Sequence, residues 1–126
     1  MKIYVAHSNK WNFIPKLYNP MKESKIAKEN HIIFPHYEIN KQMNTKNIIK
    51  ESDLVIAEVS LSTTGLGIEL GWADYTQTPI LCIYQEGYKY TSSLKFITDY
   101  FIEYQDEVDM MNKIEKFLDN FTRTSK

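Results

Sequence analysis

Asp53-Leu-Val-Ile-Ala-Glu-Val-Ser60 runs directly into Leu61-Ser-Thr-Thr-Gly-Leu-Gly-Ile-Glu69-Leu-Gly-Trp-Ala73, and the reading of this stretch decides the fold. Its first part is a short apolar run rich in Val and Ile and bounded by turn residues, the pattern of a strand buried in a parallel sheet. Its second part passes through hydroxyls and glycines into a helix that carries a carboxylate. In parallel α/β sheets, ligands bind beyond the carboxyl ends of the strands, so the turn lies where a substrate sits. Ser60, Ser62, Thr63 and Thr64 supply hydroxyls. Gly65 and Gly67 let the backbone approach a ligand and leave amide N–H groups free at the start of a helix, a favourable place for an anion. Glu69 is expected in the first turn of that helix. There the positive end of the macrodipole favours the ionised carboxylate, the form a nucleophile needs.

Outward from this stretch, strand and helix patterns alternate with no low-complexity tract, internal repeat or linker. Strands are expected near Lys2–Ala6, His31–Pro35, Asp53–Ser60, Pro79–Tyr84 and Tyr100–Tyr104. With right-handed crossovers this pattern gives one α/β domain over residues 1–126. The expected architecture is a three-layer sandwich of the flavodoxin or Rossmann type around a parallel sheet of about five strands. A helix is expected to start near Phe13–Pro15 and to break or restart at Asn19-Pro20, because proline fits a first turn and disrupts later ones. Further helices are expected near Thr45–Glu51, Leu66–Thr76 and Glu107–Phe121. In the last, Val108, Met111, Ile114, Phe117, Leu118 and Phe121 recur at helical spacing and should face the sheet. The tail 122–126 is expected to fray.

The composition permits this reading without adding to it. The 126 residues are enough to bury a core without disulfide or metal staples. A formal charge of −1 gives no global attraction to nucleic acid or to an acidic membrane. Cys82 lies inside an expected strand and reads as a buried apolar residue. No apolar run approaches a membrane span and the first residues read as a strand, so a cytoplasmic location is the default. His7, His31 and His36 lack the paired spacing of a zinc site, and neither a metal nor a cofactor is expected.

Other polar and aromatic residues carry two readings each. A carboxylate inside an apolar strand is costly unless paired, so Glu58 either lines the cleft or anchors a neighbouring loop. Asp53, at the opposite end of that strand, reads as structural. His7 falls in a cleft loop where its imidazole could meet a phosphate or base, and His36 could border the same pocket. Trp11, Phe13, Tyr37 and Trp72 could stack on a base or pack in the core.

The Ala57-Glu58-Val59 strand end, the hydroxyl and glycine turn and Glu69-Leu-Gly71 resemble the nucleoside 2-deoxyribosyltransferase family. The resemblance is nearest to its deoxynucleoside 5′-monophosphate N-glycosidase branch. Lys2-Ile-Tyr4-Val-Ala-His7-Ser8 is similar to that family's first strand and loop, Thr78-Pro79-Ile-Leu-Cys-Ile83 to its next strand, and Ser92-Ser93 to the serine region that follows. The resemblance implies that Glu69 attacks the anomeric carbon, that Tyr4 holds and tunes it, and that Thr63 contacts phosphate or sugar. Ser8 and its backbone would bind a 5′-phosphate, with Ser93 reaching it from a neighbouring subunit. A homodimer or higher homo-oligomer is implied, with a small nucleoside or nucleotide as ligand.

Two departures bear on substrate. Where the family carries an aspartate associated with the 2-deoxyribose and the departing base, ungapped alignment puts Thr45 and a two-residue shift puts Asn47. Neither is a general acid at neutral pH. The first loop lacks the family's arginine and reads Asn9-Lys10-Trp11-Asn12, leaving Lys10, hydroxyls and backbone amides for a phosphate.

The chemistry implied is cleavage of an N-glycosidic bond through an oxocarbenium-like sugar that a carboxylate beneath C1′ captures covalently. Water would complete a hydrolase cycle and a second base a transferase cycle. Glu58, His36 or water are the candidates to protonate the departing base. Two other classes compete: an NAD glycohydrolase resembling TIR proteins, and a nucleotide-binding or sensing module without turnover.

Overall fold

The computed structural model describes residues 1–38 and 44–124. Five strands form one sheet: β1 (Lys2–His7), β2 (His31–Ile33), β3 (Leu54–Glu58), β4 (Ile80–Gln85) and β5 (Tyr100–Tyr104). The order is β2-β1-β3-β4-β5 and every pairing is parallel. The architecture is therefore the expected α/β three-layer sandwich with a flavodoxin-type strand order.

Alternation along the central strands divides the core into two faces, as the period of two requires. Ile3, Val5, Leu54, Ile56, Leu81 and Ile83 face one side. There they meet a π-helical turn (Ile14–Tyr18) that runs into α1 (Asn19–Lys22), then α2 (Lys25–Glu29) and the long α6 (Glu107–Thr124). Tyr4, Ala6, Val55, Ala57, Ile80 and Cys82 face the other side, against α4 (Thr45–Lys50) and α5 (Thr64–Tyr75). Strands buried on both faces explain the near-continuous apolar runs of β1, β3 and β4.

Local differences from the sequence reading have local causes. Pro35 does not extend β2; it opens a short helix, α3 (Pro35–Glu38), where the missing N–H costs nothing. The break at Asn19-Pro20 takes the form of a π turn, with the Asn19 N–H reaching back to the Ile14 carbonyl. α5 starts at Thr64, two residues early, because the Thr63 hydroxyl caps it by accepting from the Leu66 N–H at 3.4 Å. α6 runs past Phe121 to Thr124, and the rest of the tail lies outside the described residues. Its Val108 does not face the sheet and is 71% exposed. The segment Ser92–Phe96 is a 3₁₀ helix that the reading did not contain. Asp53 is structural as read: its Oδ2 accepts from the Lys2 N–H at 2.8 Å and pins the start of β1. Among the described residues, no helix is long and apolar enough to cross a membrane.

Candidate active site

The strand order places β1 between β2 and β3, so chain connections leave in opposite directions from the carboxyl ends of β1 and β3. Such a switch point opens a crevice. A cavity of about 1020 Å³ lies there, at the upper end of the usual range for small-molecule sites. Its walls come from three segments: His7, Asn9 and Lys10 after β1, His36 after β2, and Ser62 to Leu66 with Ile68 and Glu69 after β3. Thr45 of α4 and Trp72 of α5 complete the lining. A smaller adjoining cavity of about 220 Å³ is bounded by Tyr4, His7, Pro35, His36, Thr45 and Glu69. Glu69 is thus common to both.

Glu69 sits on the second turn of α5 rather than the first, because the helix begins at Thr64. The macrodipole fades beyond the first turn and does not account for its ionisation. Burial raises the Glu69 pKa, and hydrogen bonds from Tyr4 and from the Thr45 side chain oppose that rise. The Tyr4 hydroxyl donates to Glu69 Oε2 at 2.6 Å. Tyr4 is completely buried in the middle of β1, so its hydroxyl is held by the sheet itself. Burial and the adjacent carboxylate push the Tyr4 pKa up, which keeps the phenol a donor. The arrangement is a carboxylate aimed into a cavity and supported by two hydroxyls.

Of Thr45 and Asn47, it is Thr45 that faces the cavities. Its side chain stands beside Tyr4 and Glu69, where it acts to lower the pKa of each, and it lines both cavities. Asn47, two residues on, is exposed and lines neither. Half a helical turn separates the two, enough to carry a side chain off the facing surface.

Glu58 anchors a loop and does not line the cleft. It is fully buried, and by alternation it lies on the face opposite Tyr4 and Ala6. Its Oε1 accepts the Ser60 N–H at 2.6 Å, and its Oε2 accepts the Ser60 hydroxyl at 3.0 Å and the Tyr104 hydroxyl. Burial raises its pKa against these three donors. The Ser60 hydroxyl in turn accepts the Gln85 N–H at 2.9 Å, tying the start of the β3–α5 loop to β4.

His7 closes β1 with an ordered imidazole. Nδ1 lies 2.9 Å from the Ser8 carbonyl and Nε2 lies 2.6 Å from the Tyr18 hydroxyl. A carbonyl only accepts, so Nδ1 carries the proton and Nε2 accepts from Tyr18. Burial lowers the His7 pKa to about 4. Ser8 is buried; its hydroxyl accepts the Lys10 N–H at 3.0 Å and shapes the loop rather than lining the cavity.

The remaining expected residues divide between two places. Thr63 and Gly65 line the Glu69 cavity. Gly67 and Ser93 do not; they border a separate apolar groove of about 310 Å³ on the other side of α5, which Thr63 also touches. Neither Gly65 nor Gly67 has a positive φ, and a Cβ at either would meet nothing within 4 Å. Their smallness therefore leaves surface open rather than relieving a clash. The Gly67 N–H is already used by the Thr63 carbonyl at 3.1 Å, so it is not free for an anion.

Among the aromatics, Trp72 is half-buried on the cavity wall. Trp11 is buried, with Tyr88 edge-on at 5.3 Å and the Lys16 ammonium 4.5 Å from its ring centroid. Phe13 stacks on His7 at 4.3 Å. The Tyr37 side chain lies outside the described residues. Asn9, Ile68 and the capping role of Thr63 escaped the sequence reading. Only the last had a usable signal, a hydroxyl residue placed just before the helical run. Cys82 is buried with its thiol pushed up to about 12. Among the described residues, no group of three His, Cys, Asp or Glu could hold a metal ion.

No protein-family model and no curated protein sequence matches the chain. A solved structure does: the CMP N-glycosidase BcmB of Clostridium botulinum superposes with a TM-score of 0.64 at 22% identity. The match covers 91% of this chain and 99% of that one, so the fold is shared over nearly the whole length of both.

Proposed function

We propose that this protein cleaves the N-glycosidic bond of a nucleoside or nucleoside 5′-monophosphate, with Glu69 as nucleophile. The observation that carries the proposal is the Tyr4–Glu69 hydrogen bond of 2.6 Å on the wall of a switch-point cavity. The shared fold with an enzyme described as a CMP N-glycosidase supports it.

In this reading a Glu69 oxygen attacks C1′ as the C1′–N bond breaks, and the bonding pair leaves on the base nitrogen. The charge that develops on the base takes a proton from His36, whose side chain borders both cavities, or from water. Glu58 drops out of that role because it is bonded on the far face of the sheet. Water then attacks C1′, releases Glu69 and gives a free sugar or sugar phosphate; a second base in place of water gives transfer. Lys10, Thr64 and Gly65 stand on the cavity wall where a 5′-phosphate would meet a cation, a hydroxyl and helix-start N–H groups. Thr45 supplies a hydroxyl toward the sugar in place of a carboxylate. A second copy of the chain packed on the α5 groove would bring Gly67 and Ser93 into an interface, and the working unit is a homodimer or higher homo-oligomer in the cytoplasm.

The test is base release, followed by chromatography, from deoxynucleosides, ribonucleosides, their 5′-monophosphates and NAD, with and without an acceptor base. Wild type should release base and Glu69→Ala should not. Release of nicotinamide alone would move the substrate to NAD. Tight nucleotide binding without any release would make the chain a binding module, a reading favoured by the absence of a carboxylic acid at Thr45.

A further inference from the structure

Tyr18 takes no part in the proposed chemistry, yet it joins two walls of the cavity. It ends the π turn on the helical layer that holds α1 and is 0% exposed. Its hydroxyl donates to His7 Nε2 at 2.6 Å and accepts the His36 N–H at 3.3 Å. The direction of each bond is fixed. The Ser8 carbonyl holds the proton of His7 on Nδ1, so Nε2 offers a lone pair, and Tyr18 spends its proton there. Its own lone pairs then face the His36 amide. Pro35 has no N–H, so His36 provides the first backbone donor of α3, a group with no acceptor inside a helix of four residues. Phe13 packs against both imidazoles, 4.3 Å from His7 and 4.9 Å from His36.

We propose that Tyr18 is a positioning residue: its hydroxyl joins the end of β1 to the start of α3 and thereby holds His36 at the rim of the cavity. A buried phenol needs partners, but it needs no particular ones. Here His7 and His36, which its hydroxyl joins, both line the Glu69 cavity. Tyr18 itself lines neither cavity, so it acts on bound substrate through His36. The kinetic consequence rests on the proposed N-glycoside cleavage; the hydrogen-bonded chain stands without it.

The experiment combines Tyr18→Phe, His36→Ala and the double variant. Tyr18→Phe should lower kcat for base release about fivefold, the worth of one hydrogen bond, with KM little changed. In the His36→Ala background it should lower kcat no further. Equal losses in both backgrounds overturn the proposal, because a merely structural tyrosine costs the same whether or not His36 is present. Two readouts need no activity. Exchange of the His36 amide should quicken about fivefold in Tyr18→Phe, and unchanged exchange overturns the proposal. In the wild type, side-chain nitrogen spectra should show His7 protonated on Nδ1 only, and the opposite tautomer overturns it even if Tyr18→Phe fails to fold. A wild type that releases no base defeats the proposed function alone, and these last two measurements then decide the role of Tyr18.

Discussion

The Tyr4 hydroxyl reaches Glu69 Oε2 across 2.6 Å, so a side chain rooted in the middle of β1 sets the electrostatics of a carboxylate on α5. That bond lowers the Glu69 pKa while burial raises it. Tyr4→Phe removes the opposing influence and should shift the acidic limb of kcat/KM to higher pH. At neutral pH the loss should be about tenfold or more, as for a hydrogen bond to a charged group. A pH–rate profile whose acidic limb does not move would detach Tyr4 from Glu69 ionisation.

Glu69→Gln should abolish base release while leaving the fold at least as stable near neutral pH. The folded-state pKa of Glu69 is raised, so its contribution to stability is present below the unfolded value and is lost as pH rises through the folded one. An amide keeps the shape without that loss. Thermal melts of both proteins at pH 4 and pH 7 check the sign: the gap in favour of Gln should widen at the higher pH.

His7 has the opposite sign. Its folded pKa falls from 6.5 to about 4, so the neutral ring stabilises the fold above the unfolded value and that stability drains away as pH falls between those limits. The full effect is at most about 3 kcal/mol. His7→Gln should flatten the wild-type decline in melting temperature across that window. A parallel decline in both proteins would assign it to other groups.

Glu58→Ala is expected to damage stability more than chemistry. Three donors, the Ser60 N–H and the Ser60 and Tyr104 hydroxyls, would lose their acceptor inside the core. The cost should be about 3 kcal/mol, against about 1 kcal/mol for Tyr104→Phe, which removes one donor and keeps the carboxylate bonded. Denaturant titration separates them, and base release per folded molecule should stay within about tenfold of wild type for Tyr104→Phe.

Thr45→Asp would return a carboxylate to the side of Glu69. Like charges at that range raise the pKa of one partner, so the acidic limb should move up and stability above pH 5 should fall by about 1 kcal/mol. If base protonation limits the reaction, kcat should rise near pH 5 even as it falls at pH 8. A profile identical to wild type would place residue 45 outside the reacting centre.

The fold was legible because β1, β3 and β4 are buried on both faces and leave nearly unbroken apolar runs, with Pro79 and Gly87 bracketing β4. Glu69 was legible for the same reason, since strand, turn and helix follow one another in the chain. What surrounds it was harder to read. Choosing Thr45 over Asn47 depends on where α4 begins, and two residues of helical phase reverse the answer. The direction of Glu58 depends on which face of the sheet receives α5, and alternation alone gives two equivalent assignments. Pro35 fits the end of a strand as well as the start of a helix. Tyr18 reads as one more buried aromatic until the partners of its hydroxyl are known.

The Tyr4–Glu69 contact joins residues 65 positions apart, and nothing between them can build it locally. A chain emerging from its N-terminus carries Tyr4 long before α5 exists, and the acid acquires its phenol only once β3 has entered the sheet beside β1. Under the proposed function, turnover would therefore report on completed assembly. Chains cut between α4 and β3 should be inert apart and regain activity only on mixing, and activity on heating should vanish together with the sheet rather than ahead of it.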